Sequence, residues 1–120
     1  MSGKEKKVVS PDKIICVDVD DTICITDNRD YANSKPITPM IDKLREARDK
    51  GYVIVLHTAR GQGRSEGNWK AVEQEVREEI ETFCTKFDVP FDVIVLGKPW
   101  AQWYVDDKAV RPDEFLSVQL

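Results

Sequence analysis

Two kinds of hydrophobic spacing alternate along the chain. Short, nearly continuous apolar runs at 13–19 (KIICVDV), 52–57 (YVIVLH) and 92–96 (DVIVL) are rich in β-branched residues. That composition predicts strands buried on both faces. A fourth run, 103–106 (WYVD), reads as a strand as well. Between the runs the spacing lengthens. Ile41, Leu44 and Ala47 form the stripe of a helix that Thr38 caps, with Pro39 at its first helical position and Gly51 at its end. From about Asn68 to Phe87, Trp69, Val72, Val76, Ile80, Phe83 and Phe87 recur at intervals of 3, 4, 4, 3 and 4. This is one face of a long helix, with Glu73 and Arg77 free to pair on the other. The polar stretch 24–37 reads as a loop with a small hairpin or turn, and 61–67 (GQGRSEG) as a glycine-rich basic loop.

Alternating strands and helices predict an α/β fold. The expected architecture is a three-layer, Rossmann-like core, with a mostly parallel sheet and helices on both faces. With 120 residues the chain holds one domain, 13–120, behind a flexible polar lead-in, 1–12. The net charge of −4 gives no bulk attraction to nucleic acid or to an acidic membrane. No apolar run approaches the roughly 20 residues of a membrane span. The basic start has no apolar signal-peptide stretch behind it. Cys16, Cys24 and Cys84 show no metal-ligand spacing and read as reduced thiols serving as small core residues, which implies a cytoplasmic protein.

In parallel sheets, ligands bind beyond the carboxyl ends of the strands. The residues just past those ends carry the chemistry. Asp18, Asp20 and Thr22 follow the first strand, and His57, Thr58 and Arg60 the second. Gly97, Lys98 and Pro99 follow the third, and Asp106 and Asp107 the fourth. Carboxylates gathered at one edge repel unless a cation joins them, and hard oxygen donors favour magnesium. Each residue alone has a plainer reading: a solvated carboxylate, a turn hydroxyl, a surface lysine. The ordered set behind successive strands is what points to a site.

That set, Asp18-Val-Asp20-Asp21-Thr22, then Thr58, Lys98 and Asp106-Asp107, resembles the four motifs of the haloacid dehalogenase (HAD) superfamily of phosphohydrolases, in order, over residues 14–107. "HTAR", "GKPW" and "YVDDKAVRPDEF" are similar to its small capsule-polysaccharide-biosynthesis branch. The resemblance implies a phosphatase with Asp18 as nucleophile and Asp20 as acid–base. Thr58 and Lys98 would hold phosphoryl oxygens, and Thr22 would shape the loop. It also implies a Mg2+ ion held by Asp18, the Asp20 carbonyl, Asp106 and Asp107. Asp21 replaces the glycine frequent at its place and is expected to serve the turn, facing away from the phosphate.

The gaps 24–37 and 97–102 are too short for a separate cap domain. An open site is therefore expected, covered by a homo-oligomeric neighbour, by a large substrate or by loops bearing Tyr31, Trp100, Arg60 and Arg64. The two arginines and Trp100 are also expected to bind substrate, the arginines through a second anionic group. His57 is a weaker acid–base candidate. Of Trp100 and Trp103, one is expected in the core and one against substrate.

The expected substrate is a small phosphorylated sugar or polyol. A nucleic-acid end or a phosphoprotein is the alternative, and the acidic balance argues against nucleic acid. A receiver-like signalling domain is the non-enzymatic alternative. Receivers carry the phosphorylated aspartate after their third strand, whereas here the third strand ends in "GKP".

Overall fold

The computed structural model describes residues 11–120. The expected lead-in therefore lies largely outside the described residues, and Pro11–Lys13 form a short 3-10 turn. Strand β1 (Ile14–Val17) leads into a hairpin of β2 (Cys24–Ile25) and β3 (Lys35–Pro36). Then follow α1 (Thr38–Asp49), β4 (Val53–His57), α2 (Glu73–Phe87), β5 (Val93–Val95) and a one-turn helix, α3 (Pro112–Phe115). β1, β4 and β5 form a parallel sheet in the order β1-β4-β5, with Val17 opposite Leu56 and Leu56 opposite Ile94. The fold is α/β and Rossmann-like, a parallel sheet flanked by helices. A two-stranded hairpin stands where a cap domain would be inserted.

The predicted periodicities form the core. The α1 stripe of Met40, Ile41, Leu44 and Ala47 is buried, as is the α2 stripe of Val76, Ile80, Phe83 and Cys84. Both join Val17, Ile54, Leu56, Ile94 and Leu96 in one cluster. The neighbouring strand positions differ. Ile14, Cys16, Val93 and Val95 are exposed, so β1 is not buried on both faces and Cys16 is not a core thiol. The exposed positions share the sheet face opposite the one on which α1 and α2 pack, since both helix stripes cluster with the alternate positions Val17, Ile54, Leu56 and Ile94. The run 103–106 forms no strand: all residues from 99 to 114 are exposed, and among the described residues no strand extends the sheet beyond β1.

Two helix starts also shift. Ile37, not Thr38, is the N-cap of α1. Its N–H is held by the Ile23 carbonyl, and no side chain caps the helix. Trp69–Val72 form a 3-10 turn before α2 begins at Glu73. Gly51 ends the first helical segment at φ 89°, as its freedom predicts, and Arg77 meets Glu73 at 3.3 Å. At the far end of α2, Asp88 is left-handed, and Arg45 from α1 donates to the carbonyls of Phe87 and Asp88.

Candidate active site

The turn after β1 builds the floor. Val19 accepts the N–H groups of Thr22 and Ile23, while the Asp21 N–H reaches the Cys24 carbonyl with Asp21 at φ 62°. This tight winding sets Asp18 and Asp20 at the carboxyl edge of the sheet, with buried Val19 of the turn between them. Across from them the chain leaves β4 at Thr58, which is 1% exposed. The Thr58 N–H donates to Val95, its carbonyl accepts the Lys98 N–H at 3.1 Å, and its hydroxyl oxygen accepts the Arg60 N–H. Gly97 turns at φ 88° with Trp69 packed on it. Gln62 donates to the Lys98 carbonyl. Lys98 is thereby aimed at Asp18, with Nζ 3.7 Å from Oδ1, and it lies over the Tyr104 ring.

Asp18, Asp20, Thr58, Arg60 and Arg64 line one open cavity of about 400 Å³, with Arg29, Tyr31, Trp100 and Tyr104 around its mouth. Asp21 serves the turn as expected, but it also lines this cavity instead of facing away. Thr22 is half-buried in the turn and does not line it. Trp100 lies against Gly63 and is 72% exposed, and Trp103 is 78% exposed, so neither belongs to the core.

The charges are arranged in pairs. Burial pushes the Asp18 carboxyl above its ordinary value, and Lys98 opposes that rise. Arg60 grips Asp20 with a fork, Nη2 at 2.7 Å and Nε at 3.2 Å, and reaches Glu79 at 3.5 Å. Burial works against the Arg60 charge, and the Asp20 carboxylate more than offsets it, so its pKa rises. Arg64 is bonded to Glu79 and Glu75. Both arginines thus have carboxylate partners inside the protein and stack against Tyr31 while lining the cavity. Arg29, at φ 58°, makes no ion pair among the described residues and lines the cavity. Sequence reasoning passed over Arg29 because no strand end marks it. Burial, then Lys98, holds the His57 imidazole below its ordinary value. Burial raises the Cys24 and Cys84 thiols to about 11 and about 12, far from reactive.

The acidic pair is elsewhere. Asp106 and Asp107 sit in exposed coil, outside the cavity lining. The Asp106 carboxyl is held below its usual value by the Lys108 N–H, and Asp107 faces the Lys108 side chain at 3.5 Å. Both Asp20 oxygens are bonded to Arg60, and no cluster of three metal-ligating side chains occurs among the described residues. The donors of one chain do not fit a magnesium ion, because a hard dication needs several free oxygens.

A crystal structure of a Vibrio cholerae structural-genomics target superposes on this fold with a TM-score of 0.85. It is 39% identical, and the alignment covers 90% of each chain. The chain belongs to that protein's family. Two chains from structures of the Pnkp1/Rnl/Hen1 RNA repair complex share the fold at 23% and 24% identity, with TM-scores of 0.51 and 0.52. They match 86% and 87% of this chain, which spans only 28% and 33% of their lengths. No protein-family model and no curated protein matches the sequence. Among the described residues, no helix is long and apolar enough to cross a membrane.

Proposed function

We propose that the protein is a HAD-type phosphomonoester hydrolase acting on a small phosphorylated sugar or polyol, in the manner of the capsule-biosynthesis branch. The observation that carries this reading is the convergence of Asp18, Asp20 and Thr58 on one cavity, with Lys98 beside Asp18 at 3.7 Å. Nucleophile, acid–base group and hydroxyl face the same space, and the cation, from a third strand end, stands beside the nucleophile without lining the cavity.

In this reading an Asp18 oxygen attacks phosphorus opposite the ester oxygen. The Asp18–phosphorus bond forms as the ester bond breaks, and Asp20, with one oxygen released by Arg60 and protonated, gives its proton to the departing oxygen. Water then attacks the aspartyl-phosphate, Asp20 takes a proton from it, and inorganic phosphate leaves Asp18 free. Arg60 keeps the Asp20 carboxyl oriented through both steps. Thr58 and Lys98 stabilise the charge on the transferring oxygens. Arg29, which lines the cavity without an ion pair among the described residues, would meet a second anionic or hydroxyl-rich part of the substrate.

Magnesium, when bound, would neutralise the phosphoryl oxygens, and the reading requires Asp106 and Asp107 to come to Asp18 for it to be held. The test is hydrolysis of an aryl phosphate and of a panel of sugar phosphates, with and without magnesium. Asp18→Asn is expected to lower turnover about 10⁴-fold or more. Full turnover by that variant would end the nucleophile assignment.

A further inference from the structure

Among the described residues of one chain, the outer edge of β1 and the backbone of Trp103–Val105 each lack a strand partner. Among the described residues β1 pairs with β4 on one side only, which leaves its other edge a row of backbone groups with no strand beside them. The backbone groups of Trp103–Val105 make no hydrogen bond among the described residues. Val105 and Trp103 stand in water, 97% and 78% exposed, while Tyr104 is 49% exposed, its ring under Lys98 and its hydroxyl bonded to Pro99 and Ala101. Burying even one such side chain is worth about 1.5–3 kcal/mol.

We propose that two copies of this chain exchange residues 101–110. Trp103–Val105 of each copy lies parallel along the free β1 edge of the other and sets Asp106 and Asp107 beside Asp18 of the partner subunit. The role given to the acidic pair rests on the phosphatase reading above; the exchange itself does not.

Chain length excludes the same pairing within one copy. β5 ends at Val95, so residues 96–102 are all that separates it from Trp103. Parallel strands need a crossover of about a dozen residues or more. Lys98, moreover, is fixed at the carboxyl edge by Thr58, so the chain has only 99–102 in which to return to the opposite edge. A tight antiparallel return is within reach, but it would carry Asp106 and Asp107 to the wrong end of the sheet. A second copy has neither restriction, and exchange of identical segments closes a two-fold dimer.

The register supports this occupant. With Asp106 opposite Asp18, Val105 stands beside Val17 and Trp103 beside Ile15, both packed in the core cluster. Tyr104 then stands beside exposed Cys16. Alternation puts the two most exposed apolar side chains on the buried face and the hydroxyl-bearing ring on the open one.

Light scattering is expected to give twice 13.7 kDa for the wild type and 13.7 kDa for Val105→Lys. Ile25→Lys, at another exposed apolar position, should stay dimeric. Circular dichroism checks that each variant folds. Tyr104→Cys is expected to form, on oxidation, a disulfide with Cys16 of the partner subunit, seen as a doubled mass that Cys16→Ser abolishes. A wild type at 13.7 kDa, or that disulfide closing within one chain, overturns the exchange.

For the acidic pair, Asp18→Asn is refolded together with the double variant Asp106→Asn, Asp107→Asn. Each is expected to be inactive alone, and the equimolar mixture should regain about a quarter of wild-type activity from one intact site in each mixed dimer. A dimer whose mixture regains nothing, beside an active wild type, overturns the contribution of the pair. A wild type that dimerises and cross-links without hydrolysing any phosphate supports the exchange and overturns the phosphatase reading.

Discussion

Arg60 joins the reacting edge to the longest helix. Its fork holds Asp20, and its third contact is Glu79 on α2. A lysine cannot reproduce that planar fork. Arg60→Lys is expected to lower kcat about tenfold to a hundredfold, with little change in KM, and to cost about 1–3 kcal/mol in urea unfolding. Asp18 behaves oppositely. Its folded pKa stands above the unfolded value, so its charge opposes folding at neutral pH. Asp18→Asn is therefore expected to raise Tm at pH 7. The gain should fade as pH drops through the raised pKa and vanish below about 4, where both states are protonated. An unchanged Tm at pH 7 would contradict the burial argument. The positions of Asp18, Asp20, Thr58 and Lys98 were legible because strand ends announce them. The partners of Arg60 were not, since Asp20 and Glu79 lie 40 and 19 residues away with no local pattern linking them.

At the scale of elements, the periodicities were enough wherever a run had a neighbour to pack on. The α2 stripe and the β4 and β5 runs formed as their spacing required. "WYVD" carries the same strand composition and formed none, because strand structure depends on a paired edge as well as on propensity. The Gly97 turn shows how closely two elements meet at the site. A β-carbon there would lie 2.7 Å from the Trp69 indole, at a φ of 88° that L-residues resist. Gly97→Ala is expected to cost about 2 kcal/mol or more and to displace Lys98. The checks are a lower denaturation midpoint and an activity loss greater than the stability loss explains. A variant as stable and active as the wild type would remove Trp69 from the account of how Lys98 is aimed.

At the scale of the whole molecule, the absence of a large insertion between β1 and α1 leaves the cavity open. The exposed apolar area beside it belongs to residues far apart in sequence. That area was invisible in the sequence, which shows an apolar run but not whether anything lies against it. If a second copy covers it, association and folding are linked. The apparent Tm should then rise with protein concentration for the wild type and stay level for Val105→Lys. Level melting in both would mean that the exposed segment contributes nothing to assembly.

The strand order β1-β4-β5 also bears on how the chain is made. β1 pairs with β4, and β4 with β5, across 38–39 residues of chain, and parallel pairing over such separations is slow to form. On a ribosome, such a sheet closes only once α2 and β5 have both emerged. Trp103 follows Val95 by only eight residues, so the exposed segment emerges almost together with the last core strand. For this protein two slow steps would then set maturation, the closing of the sheet and the meeting of two copies, and only the second would quicken with concentration.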